Sequence, residues 1–168
     1  MSAPTDAVCT RCALCCDGTL FGDVELTGRR EAARLEVLGL EVDADDADVD
    51  LLALPCAALR GTCCGIYPRR PRACRTFACR LLQSVERGLV TADVALERVA
   101  EARAQVRRVT TLLAPLAPRR APRLPLAERV ADALAAPAGS GRRGAARRRA
   151  LAAAMSALSR TIRTTFLD

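Results

Sequence analysis

Apolar residues follow a helical period over most of the second half of the chain. They recur every three or four positions from Val94 to Leu113, and Thr91 stands where an N-cap belongs. Similar spacing predicts two more helices, over Leu126 to Ala136 and over Gly144 to Phe166. The last of these also carries many arginines, so we expect a basic amphipathic helix on the surface.

The first half contains shorter apolar stretches that are interrupted by turn residues. Thr19 to Leu26 is predicted to be extended, and a helix is predicted to follow Thr27 as its N-cap and to end at Gly39. The acidic run from Glu41 to Asp50 is interpreted as a solvated connector, because it lacks the glycine and the closing glutamate of a calcium loop.

Two further elements are predicted before position 90. Leu51 to Tyr67 alternates apolar stretches with the turn Arg60-Gly61-Thr62, which indicates a small hairpin. Two prolines then favour the start of a helix that continues to about Arg87 and stops at Gly88.

The composition indicates a weak hydrophobic core and an uneven distribution of charge along the chain. Aromatic residues make up only 2% of the chain, so metal binding would supply a larger share of the stability than in a core with large rings.

The residues through Arg60 carry a net charge of −7 and the remainder carries +14. Every basic residue is an arginine, which indicates coding bias and weakens the positive charge as evidence for nucleic acid. Aromatic residues do not alternate with the arginines either, so we do not expect a nucleic-acid partner. No apolar run approaches the roughly 20 residues that cross a bilayer.

Nine cysteines all lie within the first 79 positions. Four of them open the chain as a Cys-x-x-Cys-x-x-Cys-Cys run, and the other five follow between positions 56 and 79. The chain contains no histidine, so soft thiolates would have to supply the metal coordination by themselves. This pattern predicts that all-sulfur metal coordination organises the first half of the molecule.

Disulfides explain the cysteine pattern less well than metal coordination does. The chain begins MSAPTDAV, which has no feature of a secretory signal, so we expect a cytoplasmic protein whose thiols stay reduced. Two pairs of adjacent cysteines and an odd total also fit a disulfide framework poorly.

The spacing of the cysteines leaves the metal open. Pairs of cysteines three apart suit a tetrahedral zinc site with four thiolates, whereas three cysteines at this spacing with a remote fourth also suit a four-iron cluster. Cys16 is not expected to share a mononuclear site with Cys15, because neighbouring side chains diverge. It would serve a second metal, bridge two metals or remain a reactive thiol.

The same residues carry a resemblance to a known family. CTRCALCC at positions 9–16, Pro55-Cys56 and CGIYPRRPRACRTFAC at positions 64–79 resemble the YkgJ-type cysteine-cluster proteins, which are named for their CxxCxxCC signature and described as zinc- or iron-chelating. Cys63 falls outside the pattern, so it is the first candidate for a dispensable cysteine. The resemblance implies a metal-binding set of eight residues: Cys9, Cys12, Cys15, Cys16, Cys56, Cys64, Cys74 and Cys79.

The expected fold is α+β and mostly helical, with two parts. Residues 1–114 would form a metal-stapled, cysteine-rich head with a short β-hairpin, and residues 115–168 an Ala/Arg/Pro-rich helical extension.

The leading functional hypothesis is a metal-binding protein that chelates zinc or iron, with an iron-sulfur cluster as one form of the iron. One alternative is an iron-sulfur redox or protein-modifying enzyme, although the absence of histidine argues against conventional catalysis. The other is a zinc-stapled adaptor that binds an acidic protein partner through its basic C-terminal helix.

Overall fold

A computed structural model describes residues 4–44, 49–116, 123–136 and 142–167. These residues form seven α-helices and two small antiparallel sheets, which confirms the mostly helical α+β fold that the sequence predicts. In chain order the elements are α1 (Pro4–Cys12), β1 (Asp23–Glu25), α2 (Arg29–Val37), β2 (Val42–Ala44), β3 (Asp50–Ala53), β4 (Leu59–Arg60), β5 (Cys63–Cys64), α3 (Arg72–Thr76), α4 (Arg80–Glu86), α5 (Ala92–Leu113), α6 (Leu126–Ala135) and α7 (Arg142–Ile162).

A three-stranded sheet places β3 between β1 and β2, with both pairings antiparallel. Leu52 of the central strand is buried in one cluster with Ala32 and Leu35 of α2, so the helix covers one face of the sheet. The sequence prediction of a solvated connector from position 41 to 50 is wrong near both ends, because Val42–Ala44 forms β2 and Asp50 begins β3. Positions 45–48 of that connector lie outside the described residues.

The predicted hairpin is confirmed, although it is shorter than expected. β4 pairs with β5, so that Leu59 lies opposite Cys64 and Arg60 opposite Cys63, and Gly61 has the positive φ of 61° that the tight turn requires. Residues 51–53 were predicted to belong to this hairpin, but they lie in the three-stranded sheet instead.

The helices of the first half differ from the prediction at their ends. Gly28, not Thr27, is the N-cap of α2, while the Glu31 carboxylate accepts a 2.8 Å hydrogen bond from the Thr27 N–H. The single helix predicted to end near Arg87 is two helices, α3 and α4, because the chain is extended at Phe77 (φ −72°, ψ 124°). An additional helix, α1, carries Cys9 and Cys12 and was not predicted.

The second half matches the prediction more closely. The Thr91 hydroxyl accepts a hydrogen bond from the Val94 N–H at the start of α5, as the capping pattern predicts. The helices α5, α6 and α7 share one core, whose buried members include Val109, Val130 and Leu158. Val94 itself was predicted on the buried face, but it is 40% exposed in the first turn of α5.

A second core connects the last described residues to the cysteine-rich region. Phe166 lies in the π-helical turn Arg163–Leu167 that follows α7, and it is only 1% exposed. Its buried neighbours include Val8 of α1, Leu14 of the following loop and Val99 of α5. The division of the chain at position 115 stays a prediction.

Candidate metal centre

The loop after α1 presents the second half of the opening cysteine run. Ala13 has a positive φ of 61°, which ends the helix, and its carbonyl accepts a hydrogen bond from the Asp17 N–H at 2.9 Å. Leu14 points into the core and is fully buried, so the turn has a fixed anchor. Cys15 and Cys16 therefore follow immediately after a well-held bend in the backbone.

Three distant segments hold this loop through hydrogen bonds to its backbone carbonyls. The Arg103 guanidinium of α5 donates to the Cys12 carbonyl at 2.8 Å, and the Cys56 N–H donates to the Cys16 carbonyl at 2.8 Å. The Leu126 N–H at the start of α6 donates to the Gly18 carbonyl at 3.1 Å. The loop is thus fixed from both halves of the molecule.

Gly18 is required where α6 meets this loop. Its φ is +75°, and a Cβ built on it would lie 3.2 Å from the Cα of Pro125. A side chain at this position would be strained both by the backbone conformation and by the close approach of the neighbouring segment.

Four thiols lie near one another where α1 approaches α4. Burial raises the pKa of Cys12 to about 12; a backbone hydrogen bond from Leu14 lowers it, and the neighbouring Cys79 and Cys9 raise it further. Burial also raises the pKa of Cys15, and Cys12, Cys9 and Cys79 are again among the neighbouring thiols that add to the shift. We call these four residues the helix set: Cys9, Cys12, Cys15 and Cys79.

The other four motif cysteines gather near the β4–β5 hairpin and α3. Burial raises the pKa of Cys16 to about 12, and the thiols of Cys56, Cys74 and Cys64 contribute next. Burial likewise raises the pKa of Cys74 to about 11, with further contributions from Cys56 and Cys64. We call these four residues the hairpin set: Cys16, Cys56, Cys64 and Cys74.

The two sets meet at the consecutive residues Cys15 and Cys16. Besides burial, Cys12 contributes most among the thiols to the raised pKa of Cys15, followed by Cys16, whereas Cys56, Cys74 and Cys64 all contribute more than Cys9 to the raised pKa of Cys16. The expectation that Cys16 does not share a mononuclear site with Cys15 stays a prediction. Spacing alone does not tell which remote cysteines lie near each of them.

All nine cysteines lie in the described part of the chain, and none of them is in a disulfide. Within the described residues, no three Cys, Asp or Glu side chains already stand in the geometry of a metal site. The four cysteines of the helix set nevertheless border one small cavity, and the four cysteines of the hairpin set border another. Eight reduced, mostly half-buried sulfurs in two groups of four are a donor set that fits zinc or iron.

Cationic side chains lie beside both sets. Arg70 stacks on Tyr67, with its guanidinium carbon 3.6 Å from the ring centroid, and its charge lowers the pKa of Cys74 against the effect of burial. Near the helix set, burial raises the pKa of Asp17 and the positive charge of Arg103 lowers it. The role of Arg103 was missed from the sequence, because nothing in the local pattern connects it with a loop 91 positions away.

Cys63 differs from the eight motif cysteines. It is exposed on β5, and its Sγ donates to the Thr10 carbonyl at 3.7 Å. Cys63 is not among the main causes of the raised pKa of Cys12, Cys15, Cys16 or Cys74. The expectation that Cys63 is dispensable stays a prediction.

Among the described helices, none combines the length and the apolar character needed to span a bilayer.

No curated protein and no solved structure matches this chain. A family model for the CxxCxxCC domain, described as a "Putative zinc- or iron-chelating domain", matches residues 8–99, which is more than half of the chain and contains all nine cysteines. The resemblance seen in the cysteine motifs is therefore confirmed, and the chain belongs to the CxxCxxCC family of zinc- or iron-chelating domains.

Proposed function

We propose that the protein binds two metal ions, one in the helix set and one in the hairpin set, and that each ion is held by four thiolates. Zinc is the first candidate, because four sulfur ligands without an open position are typical of structural zinc sites. Iron is the second. The observation that carries the proposal is the division of the eight motif cysteines into two groups of four neighbours.

The local structure of the helix set supports this assignment. Cys9 and Cys12 are three residues apart on α1, so their side chains lie on the same face of the helix. Cys15 comes after the bend at Ala13, and Cys79 precedes α4, which packs against α1. Three short stretches of backbone would thus supply the four ligands: α1, the loop after it and the residue that precedes α4.

The hairpin set is supported by a different arrangement. Cys56 is tied to Cys16 by the backbone hydrogen bond between them, and Cys64 lies on β5 opposite Leu59. Cys74 lies on α3, close to the positive charge of Arg70. A four-thiolate zinc site carries a net charge of about −2, so a neighbouring cation stabilises the loaded state.

The test is metal analysis of anaerobically purified protein, together with alanine variants of one cysteine from each group. We expect two ions per chain in the wild type and one ion per chain in both Cys12→Ala and Cys74→Ala. Cys63→Ala is the matched control and should keep two. Full metal content in Cys12→Ala, or an equal loss in Cys63→Ala, would contradict the assignment of ligands.

The same samples separate zinc from iron. A colourless protein that contains zinc supports two closed sites, and replacement by cobalt should then give thiolate-to-cobalt absorption that halves in each single variant. Iron with acid-labile sulfide and a colour that bleaches on reduction would instead favour the iron-sulfur alternative.

A second candidate function is binding of an acidic protein partner, and a groove between α6 and α7 favours it. Its floor is apolar, with Val130, Leu134 and Met155, and the charged residues among its described lining are Arg160 and Arg163. This described lining contains no carboxylate, so the groove suits an acidic amphipathic helix.

The adaptor candidate is tested by charge reversal within the groove. Arg160→Glu combined with Arg163→Glu should weaken binding of a synthetic helical peptide of leucine and glutamate at least tenfold. The double variant at Arg142 and Arg143, which changes the charge equally at the exposed start of α7, should change binding less than threefold. An equal loss in both double variants would show non-specific attraction and refute the groove. Deletion of α7 is a poorer test, because it would also remove Phe166 from the core.

A further inference from the structure

A cavity of about 240 Å³ lies between the cysteines and the three-stranded sheet. It is open to solvent on one side. Its apolar walls come from β1, β3, the hairpin region and α3, and six of the nine cysteines border it. The side chains that form the apolar walls are Phe21, Val24, Leu52, Leu54, Ile66, Pro71, Ala73 and Phe77.

The size of this cavity exceeds what a metal ion needs. A tetrahedral zinc ion sits between its sulfurs at about 2.3 Å, so it would take up the cysteine-lined end and little of the remaining space. Structural zinc sites are usually closed around the ion. An engineered apolar cavity of about 150 Å³ binds benzene, and on the same scale this one holds about ten non-hydrogen atoms.

The walls favour an aromatic occupant. Phe21 and Phe77 meet edge to face, with centroids 5.1 Å apart and an angle of 87° between the rings. Phe77 is 42% exposed, an unusual state for a large apolar side chain that also borders a cavity. An aromatic ligand would cover this ring and pack against its partner.

The charges around the cavity select against anions. In the part of the chain that the structure describes, Asp23 and Arg70 are the lining residues with charged side chains other than cysteines. Arg70 is already engaged, because it stacks on Tyr67 and its Nε donates to the Tyr67 carbonyl at 3.2 Å. With thiolates of the hairpin set at one end, a carboxylate inside the cavity would be repelled and would lose its hydration without gaining a partner.

We propose that this cavity binds a small uncharged aromatic molecule of about ten non-hydrogen atoms, next to the hairpin set. The exclusion of anions rests on the proposed function, since it requires thiolates at the cavity end. The cavity itself is built by the sheet and α3, so ligand binding and metal content are separate measurements.

The test uses the full-length, zinc-loaded protein with indole as the probe and indole-3-acetate as its anionic counterpart. We expect saturable binding of indole and at least tenfold weaker binding of indole-3-acetate. Ala73→Phe fills the cavity and should weaken indole binding at least tenfold, whereas Ala153→Phe, on the exposed face of α7, should leave it unchanged.

Nuclear magnetic resonance gives a second readout that needs no variant. The chain has only three phenylalanines and one tyrosine, so their ring signals are separable. Contacts from indole to Phe21 and Phe77, and none to the buried Phe166, are expected. Absence of saturable binding in protein that holds two zinc ions would overturn the cavity proposal alone. A cluster with sulfide in the hairpin set would overturn both proposals, because it would replace the single ion and fill the space. A loss of metal binding with intact indole contacts would instead overturn the proposed function.

Discussion

The bundle of α5, α6 and α7 and the region around the two cysteine sets reach a folded state by different means. The bundle has helices of 22, 10 and 21 residues, whose buried faces share one continuous core. The strands of the cysteine region contain two to four residues each. A short two-stranded hairpin is at best marginally stable in water by itself. Long amphipathic elements stabilise themselves by packing, whereas elements this short need an additional cross-link.

Removal of the metal is expected to separate the two regions most strongly. Structural zinc contributes about 10–16 kcal/mol of apparent binding free energy in small zinc domains, so a chelator should unfold the sheet and hairpin while the bundle keeps its helices. Hydrogen exchange should show loss of protection at Leu52 and retention at Val109. Simultaneous loss of protection at both positions would mean that the bundle also depends on the metal.

Phe166→Ala tests the contact between the two regions. Truncation of a buried phenylalanine costs about 3–5 kcal/mol, and this ring packs on Val8 and Leu14 beside the helix set. We therefore expect a lower free energy of unfolding together with faster loss of one metal ion to a competing chelator. Leu167→Ala, at a neighbouring residue that is 40% exposed, serves as the control and should change neither quantity appreciably.

Leu151→Ala tests the bundle alone. Leu151 is fully buried between α5, α6 and α7, and such a truncation costs about 2–5 kcal/mol. Denaturant unfolding should show this loss, and metal analysis of the folded protein should still give the wild-type content. A parallel loss of metal would show that the bundle and the metal centre form one cooperative unit.

Arg103→Met is expected to have the smallest effect and to act only on the helix set. It removes the hydrogen bond to the Cys12 carbonyl and a positive charge near the thiols, which together are worth about 1 kcal/mol, or roughly a fivefold lower metal affinity. Competition with a chromogenic chelator measures the change. Arg107→Met, an exposed residue one turn further along α5, provides the comparison and should match the wild type.

Local signals in the sequence predicted two features of the fold correctly. The start of α5 at Thr91 and the turn at Gly61 were predicted correctly, because a capping hydroxyl and a glycine with positive φ act within a few residues. The cysteine motif likewise predicted the family, since its spacing is itself the signal.

The features that were missed depend on contacts between distant positions. Residues 51–53 pair with β1 and β2 instead of forming part of the hairpin, and this choice depends on strands that lie 8 or more residues away. The break at Phe77 interrupts a sequence that could continue as a helix, and the ring instead packs against Phe21. The neighbours of each cysteine also depend on the folded chain, because Cys79 contributes to the raised pKa of Cys12 while Cys56 contributes to that of Cys16.

The position of Phe166 has a consequence for the order of events during synthesis. All nine cysteines precede this residue by roughly 90 positions or more, and a ribosome adds about 5–20 residues per second. The thiols therefore leave the ribosome several seconds before the ring that completes the core beneath them. During that interval the cysteine motif is exposed to whatever metal the cell supplies, so the identity of the bound ion can be decided before the finished fold exists to select it.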